Sequence, residues 1–366
     1  MKLSKDTLRY ERILKEHRRA LHRIPEISFD LPKTQAYILQ TLNGIGGFEL
    51  QKIAKSGVLA RLNCGKAKTV AVRADMDALP VEEKTGLAFA SEHKGNMHAC
   101  GHDGHMAAVL AAAQMAHDRA DRLPHNMLFL FQPAEETVGG AQNMIEEGAL
   151  SGVDEIYGIH LWPEVPKGKI ALKSGAIMAG MNDIDVHIAG KSLHAAKRKE
   201  GADALLAASE YALLAQQEAP KEVVFNAGKI RAGVSRNIVA GNAEVQATLR
   251  SYDDALSGRV IASQRRLLEK IDEKYATHST LNVVMYYPAL MNDAALCCRA
   301  KEQLGDTYLP AVPALQAEDF AFYAAKIPAL YAFVGTGGEM LHSDRFDFDE
   351  DVLLMVLEYY KRMCLG

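Results

Sequence analysis

With 366 residues, 48% of them hydrophobic and 24% charged, the chain has room for two domains and a large core, and its composition is that of an ordinary globular protein. A formal net charge of -4 leaves no electrostatic footprint for nucleic acid, and the basic runs HRRALHR (17–23) and KRK (197–199) are short enough to read as solvated faces. No stretch approaches the roughly 20 apolar residues of a membrane span, so neither a nucleic acid nor a membrane is expected as a partner.

The first 23 residues are charged throughout and lack the apolar centre of a leader peptide, which predicts a cytoplasmic protein. Five cysteines, an odd number at irregular spacing, argue against a disulfide framework, and Cys64, Cys297, Cys298 and Cys364 read as plain thiols in or near the core. Residues 5–22 carry apolar positions near helical spacing among Lys, Arg and Glu, predicting one amphipathic helix that Pro25 ends. A second helix is expected over 34–42, stopped by the glycines of NGIGG. Runs at 58–62 and 69–73, separated by the turn-like NCGKAK, predict a hairpin or two adjacent strands.

The second of these runs straight into ADMD, which sets Asp75 and Asp77 at a strand's carboxyl end, where open α/β sheets build their sites. For Asp75 two readings stand side by side: a carboxylate behind a metal ligand, or a turn cap. The decapeptide NMHACGHDGH (96–105) follows, with three His, one Cys and one Asp, all of them side chains that hold divalent metals when deprotonated and close together. Gly101 and Gly104 are read here as points where the backbone turns sharply, and 106–115 as a buried helix. A buried strand at 127–131 delivers Glu135 and Glu136 to the same edge, a helix follows Gly139 and Gly140, and a strand at 155–158 leads to His160. Strand followed by ligand-type residue, three times over, fits a mixed, mostly parallel sheet with flanking helices whose carboxyl edge gathers a metal cluster. A structural zinc would close on four ligands, often paired Cys, whereas the excess of carboxylates and imidazoles here favours a catalytic site, with room for two metals.

After Ser174 the pattern changes to strand 183–188, helix 202–217, strands 223–230 and 243–249, helix 259–275 and strand 281–286. That β-α-β-β-α-β order predicts a ferredoxin-like α+β domain inserted into the first one. The expected boundaries are 1–177 and 289–366 for the two parts of a catalytic domain and 178–288 for the insertion. The second part reads as helices near 293–304 and 318–326, a strand at 329–334 and a last helix over 349–363, with His342 in the loop GTGGEMLHSD.

RADMDALP, MHACGHDGH, FQPAEE, GIH and LHSDRFDFDE, in this order over nearly the whole chain, resemble the aminoacylase/carboxypeptidase family of co-catalytic metallohydrolases, and specifically its amidohydrolase branch. That branch includes hippurate hydrolase, N-acyl-amino-acid and indole-acetyl-amino-acid hydrolases and N-acetyldiaminopimelate deacetylase. HRIPEISF is similar to its opening signature. The resemblance implies a zinc-peptidase-like catalytic domain with an inserted lid, cleaving the amide of a small-molecule N-acyl amino acid. It implies two divalent ions, Zn²⁺ or Mn²⁺ with Co²⁺ or Ni²⁺ able to substitute, held by Cys100, His102, Glu136, His160 and His342, with Cys100 in the bridging place. Glu135 is implied as general base. His98 and His105 fit the motif without being implied as ligands, and the residues alone do not separate His102 from His105. In the insertion, His194 resembles a lid histidine that reaches the partner subunit's site in a homodimer, and Asn237 and Arg250 match positions that hold the substrate carboxylate. The chain departs from the branch after His194, where AAKRKEGADA replaces the usual Pro-His pair, and at Ala240, where a Pro is usual. A dipeptidase or carboxypeptidase of the same family is the nearest alternative, followed by an inactive metal-binding homologue.

Overall fold

The strands TVAVRAD (Thr69–Asp75), NMLFLFQ (Asn126–Gln132), EIYGIHLW (Glu155–Trp162) and ALYAFVG (Ala329–Gly335) are buried along almost their whole length. Strands of that kind need cover on both faces, which is the condition of a sheet sandwiched between helices. In the computed structural model, which describes residues 3–366, they form the centre of an eight-stranded sheet. Its order is Glu49–Ile53, Gly57–Leu62, Asn126–Gln132, Thr69–Asp75, Glu155–Trp162, Ala329–Gly335, Ile170–Leu172 and Tyr308–Pro310. Thr69–Asp75 runs parallel to both its neighbours, Glu155–Trp162 runs parallel to Ala329–Gly335, and the left-hand pair of strands is antiparallel. The helix His102–His117 buries fourteen of its sixteen residues and packs against Glu11–His22 and Val352–Tyr360. The result is the mixed, mostly parallel α/β architecture expected from the sequence.

Three local expectations were overturned. The runs at 58–62 and 69–73 are not neighbours, because Asn126–Gln132 lies between them. The hairpin partner of Gly57–Leu62 is Glu49–Ile53, joined through Ala54 and Lys55 at φ 46° and 65°. Left-handed turns usually advertise themselves by Gly or Asn, and neither residue does. The single helix over 5–22 is broken into Lys5–Leu8 and Glu11–His22. There Glu358, from the last helix, accepts hydrogen bonds from the Ser4 N–H and hydroxyl and the Thr7 hydroxyl, a tertiary anchor that overrides local helical periodicity. The helix expected over 318–326 shrinks to Ala321–Ala324.

The chain divides into two compact units. One comprises the chain up to Ile177 with Met291–Val312 and Asp319–Gly366, and the other Met178–Leu290 with Pro313–Glu318. The second contains a four-stranded antiparallel sheet ordered His278–Tyr287, Gly180–Ala189, Asn242–Ser251, Val223–Ala232. Its helices Ala204–Gln217 and Asp254–Tyr275 share a core with alternate strand residues such as Ile184, Val186, Val245 and Leu249. This is the ferredoxin-like order.

Candidate metal centre

Six side chains from four segments of the larger unit meet at the carboxyl edge of the eight-stranded sheet. Ligand atoms of Cys100, His102 and His160 lie within 4.8 Å of one another, as do those of Cys100, Glu136 and His342 and those of His102, Glu135 and Glu136. Their common members join the three groups into one cluster. The Cys100 Sγ is 3.4 Å from the His160 Nε2, and the Glu136 Oε1 is 3.7 Å from the His102 Nε2 and 3.5 Å from the His342 Nε2.

Local backbone chemistry explains the convergence. Gly101 takes φ 87° and ends the loop, so that Cys100 lies just before the helix and His102 is its first residue. Gly104 does not turn the chain, contrary to expectation: it is helical, and a Cβ there would lie 2.7 Å from Phe348 and 3.0 Å from Leu161. Its role is close packing. The strand expected over 155–158 and ending on His160 runs on to Trp162, so His160 lies inside the strand. Ala134 and His342 hold positive φ of 60° and 66°, conformations that cost non-glycine residues energy and that cluster where geometry is functional. The His342 N–H donates to the Ala99 carbonyl at 2.8 Å, tying that loop to the residue before Cys100.

The hydrogen bonds assign the histidine tautomers. The His102 Nδ1 lies 2.8 Å from the Asp77 carbonyl oxygen and the His160 Nδ1 2.7 Å from the Leu161 carbonyl. A carbonyl only accepts, so each Nδ1 carries the proton and each Nε2 presents a lone pair. His105 differs: its Nε2 accepts the Leu161 N–H at 3.0 Å and its Nδ1 lies 2.7 Å from the Asp75 Oδ1, so both nitrogens are in use. That separates His102 from His105 as donors. His98 is buried with neither nitrogen partnered, and burial pushes its pKa down to about 3.

Two atoms at the centre test whether a cation fits. The His102 Nε2 and Glu136 Oε1 are buried without a hydrogen-bond partner. Buried acceptors are rarely left so, and a metal ion between them would satisfy both. Burial would raise the Glu136 carboxyl, but His342, its Nε2 3.5 Å away, holds it down to about 2. Burial pushes the His160 pKa down to about 3, leaving a neutral imidazole of the kind metals bind. Burial, then the Glu136 and Glu135 charges, push the Cys100 thiol well up. A divalent cation would reverse that and hold the thiolate.

Behind the cluster lie Asp75, expected either behind a metal ligand or as a turn cap, and groups that the sequence gave no role, Asp77, Arg73 and Asp319. The Asp77 Oδ1 accepts the Glu135 N–H at 2.9 Å and its Oδ2 the Glu136 N–H at 3.1 Å, so one carboxylate fixes the backbone of both glutamates. Asp75 bonds to His105 and, at 2.7 Å, to the Arg73 Nη1; its Oδ2 is 3.8 Å from the His102 Nε2. Burial would raise the Asp75 carboxyl, and the hydrogen bond from His105 and the Arg73 guanidinium hold it well below the usual range. Arg73 also donates to Gln132 and to Asp319. A charged residue inside the apolar strand TVAVRAD was the visible signal for this buried ion cluster. Nothing in the sequence pointed to Asp319.

The lid candidates belong to the other unit. His194 is exposed, and its Nδ1 accepts the Ala196 N–H at 3.2 Å at the start of the turn Ala195–Glu200. The backbone brings it beside Asn237, whose carbonyl accepts the Ala195 N–H at 2.9 Å. Arg250 is half-buried in a different strand, opposite Met181 and Val224.

A mostly parallel sheet whose carboxyl edge gathers thiol, imidazole and carboxylate donors around two unpartnered ligand atoms defines a metallohydrolase. Residues 71–365 match peptidase family M20/M25/M40, and the chain belongs to that family, whose members hydrolyse amide bonds. It is 35% identical to the N-acetyl-L-cysteine deacetylase of Bacillus subtilis (strain 168), over 92% of this chain and 84% of that protein. It is 34% identical to thermostable carboxypeptidase 1 of Saccharolobus solfataricus, over 96% and 94% of the two chains. Among solved structures it resembles the Bacillus subtilis YXEP protein, a dinuclear metal binding peptidase, with 32% identity, a TM-score of 0.88 and 97% and 98% of the chains covered.

Proposed function

We propose that this protein hydrolyses the amide bond of N-acyl amino acids, releasing a carboxylic acid and a free amino acid. The observation that carries the reading is the pair of unpartnered buried acceptors, His102 Nε2 and Glu136 Oε1, facing Cys100, His160 and His342 with Glu135 alongside. We assign Cys100, His102, Glu136, His160 and His342 as the residues that would hold two divalent ions, Zn²⁺ or Mn²⁺ in the cell. Bound there, such ions lower the pKa of water toward neutrality and polarise the scissile carbonyl. Glu135 takes a proton from the attacking water and passes it to the amide nitrogen as the C–N bond breaks, so that the amine leaves neutral. Asp77 holds the Glu135 and Glu136 amides, which lets neighbouring carboxylates take different roles.

In this reading residues 178–288 act as a lid, His194 completes the site of the partner subunit in a homodimer by donating to the developing oxyanion, and Asn237 and Arg250 hold the substrate carboxylate. The similarity to a deacetylase of an N-acetyl amino acid supports the acyl substrate. The similarity to a carboxypeptidase favours a second reading, in which the acyl group is itself an aminoacyl residue. Release of free amino acid from a panel of N-acetyl and N-benzoyl amino acids and dipeptides, with and without chelator, separates the two. Preference for dipeptides would replace the first reading with the second, and full turnover by metal-free protein would refute both. Mixing Glu135→Gln with His194→Ala subunits tests the lid: random pairing makes about half the dimers mixed with one intact site each, restoring roughly a quarter of wild-type activity. No recovery, with subunit exchange verified, would reject a histidine acting across the dimer.

A further inference from the structure

His105 stands between the two histidines assigned as ligands without having a lone pair to offer. Its ring centroid is 4.8 Å from that of His160 and 5.4 Å from that of His102. Its Nε2 accepts the Leu161 N–H at 3.0 Å, and the carbonyl of that same residue accepts the His160 Nδ1–H at 2.7 Å. The residue whose carbonyl fixes the His160 ring is therefore itself held, through its N–H, by His105. On the other side the His105 Nδ1–H donates to Asp75, whose second oxygen is bound by Arg73, and Arg73 reaches on to Gln132 and Asp319. Arg73, Asp75, Gln132 and Asp319 are all buried, so this anchor is shielded from water. Asp319 further accepts the Ala141 N–H, just beyond the loop that carries Glu135 and Glu136.

We infer that His105 is a positioning residue, held in its Nδ1–H tautomer by the Asp75–Arg73 pair, that aims the His160 Nε2 at Cys100 through the Leu161 backbone, whose N–H it binds and whose carbonyl holds the His160 ring. The inference rests on the proposed metal centre and deepens it: the second histidine of GHDGH serves to place a ligand instead of being one. Partners of this kind typically govern metal affinity by 10- to 100-fold.

The test is Co²⁺ titration of metal-stripped protein, read as stoichiometry, affinity and the visible ligand-field spectrum, for wild type, His105→Leu, His105→Gln, Asp75→Asn and the double variant Asp75→Asn/His105→Leu. His105→Leu should keep the wild-type stoichiometry, bind Co²⁺ about 10- to 100-fold more weakly and shift the spectrum. His105→Gln, whose amide oxygen can still accept the Leu161 N–H, should recover most of the affinity. Asp75→Asn should weaken binding in the same direction, and the double variant should lose little more than His105→Leu alone, because the two act along one path. Thermal unfolding of each stripped variant identifies any that fails to fold, and Gln or Asn then carries the comparison. Unchanged affinity and spectrum in His105→Leu would overturn the positioning role. Loss of one whole metal equivalent in both His105 variants would also overturn it, by making His105 a ligand. Wild type that binds no Co²⁺ would instead refute the metal centre, an outcome distinct from both.

Discussion

Substituting Gly104 by alanine sets two opposed effects against each other. In a helix interior, alanine is favoured over glycine by about 1 kcal/mol, so the helix His102–His117 taken alone would gain. The added Cβ, however, would stand 2.7 Å from the Phe348 Cζ, 3.0 Å from a Leu161 methyl and 3.3 Å from a Leu353 methyl. None of the three can step aside freely. Leu161 and Leu353 are fully buried, and Phe348 lies beneath the Arg18 guanidinium, whose carbon is 3.7 Å from the ring centroid. Forcing a methyl into such packing costs about 1 to 3 kcal/mol, so the expected balance runs from neutral to about 2 kcal/mol of destabilisation. Displacement of Leu161 should also disturb His160, the neighbouring residue, and weaken metal binding. Urea unfolding of the metal-stripped proteins gives the stability difference, and Co²⁺ titration gives the affinity. A Gly104→Ala protein about 1 kcal/mol more stable than wild type, with unchanged Co²⁺ affinity, would refute the packing argument and mean that helix propensity alone governs the position.

The remaining expectations concern the site and the pH response. Glu135→Gln should bind metal normally while kcat falls by about 10²-fold or more, whereas Glu136→Gln should lose metal occupancy; equal metal loss in both would contradict the division of roles. Cys100→Ala should lose metal, and mild peroxide should inactivate the wild type, both read by metal content; a variant with normal metal and rate would reduce Cys100 to a packed thiol. Burial pushes the His17 pKa down to about 4, and its Nδ1 is paired with the Tyr37 hydroxyl. The unfolded chain therefore takes up a proton near pH 6.5 that the folded chain refuses until about pH 4, so stability falls as pH drops through that window, by up to about 3 kcal/mol. His17→Gln should remove this part of the acid sensitivity, and equal pH slopes for the two proteins between pH 7 and 4 would refute the assignment.

The sequence by itself was enough for the class of fold, because the signals are local: continuous apolar strands announce burial on both faces, and the β-α-β-β-α-β order of 178–288 is written in alternating periods. It was enough also to nominate Cys100, Glu135, Glu136 and His160, since each lies within a few residues of a strand end or helix start. What it could not settle were matters of partnership. Whether 58–62 pairs with 69–73 depends on a strand more than fifty residues downstream, and the Ala54–Lys55 turn carries no composition signal. The buried anchor of Arg73, Asp75 and Asp319 joins residues 246 positions apart in sequence. From the residues alone the choice between His102 and His105 was likewise out of reach, for the two share one helix turn and one chemistry. The resemblance implied His102, and the tertiary structure adds the physical ground: a backbone N–H lies against the Nε2 of His105 and none against that of His102, so that one imidazole spends its lone pair on the protein and the other does not.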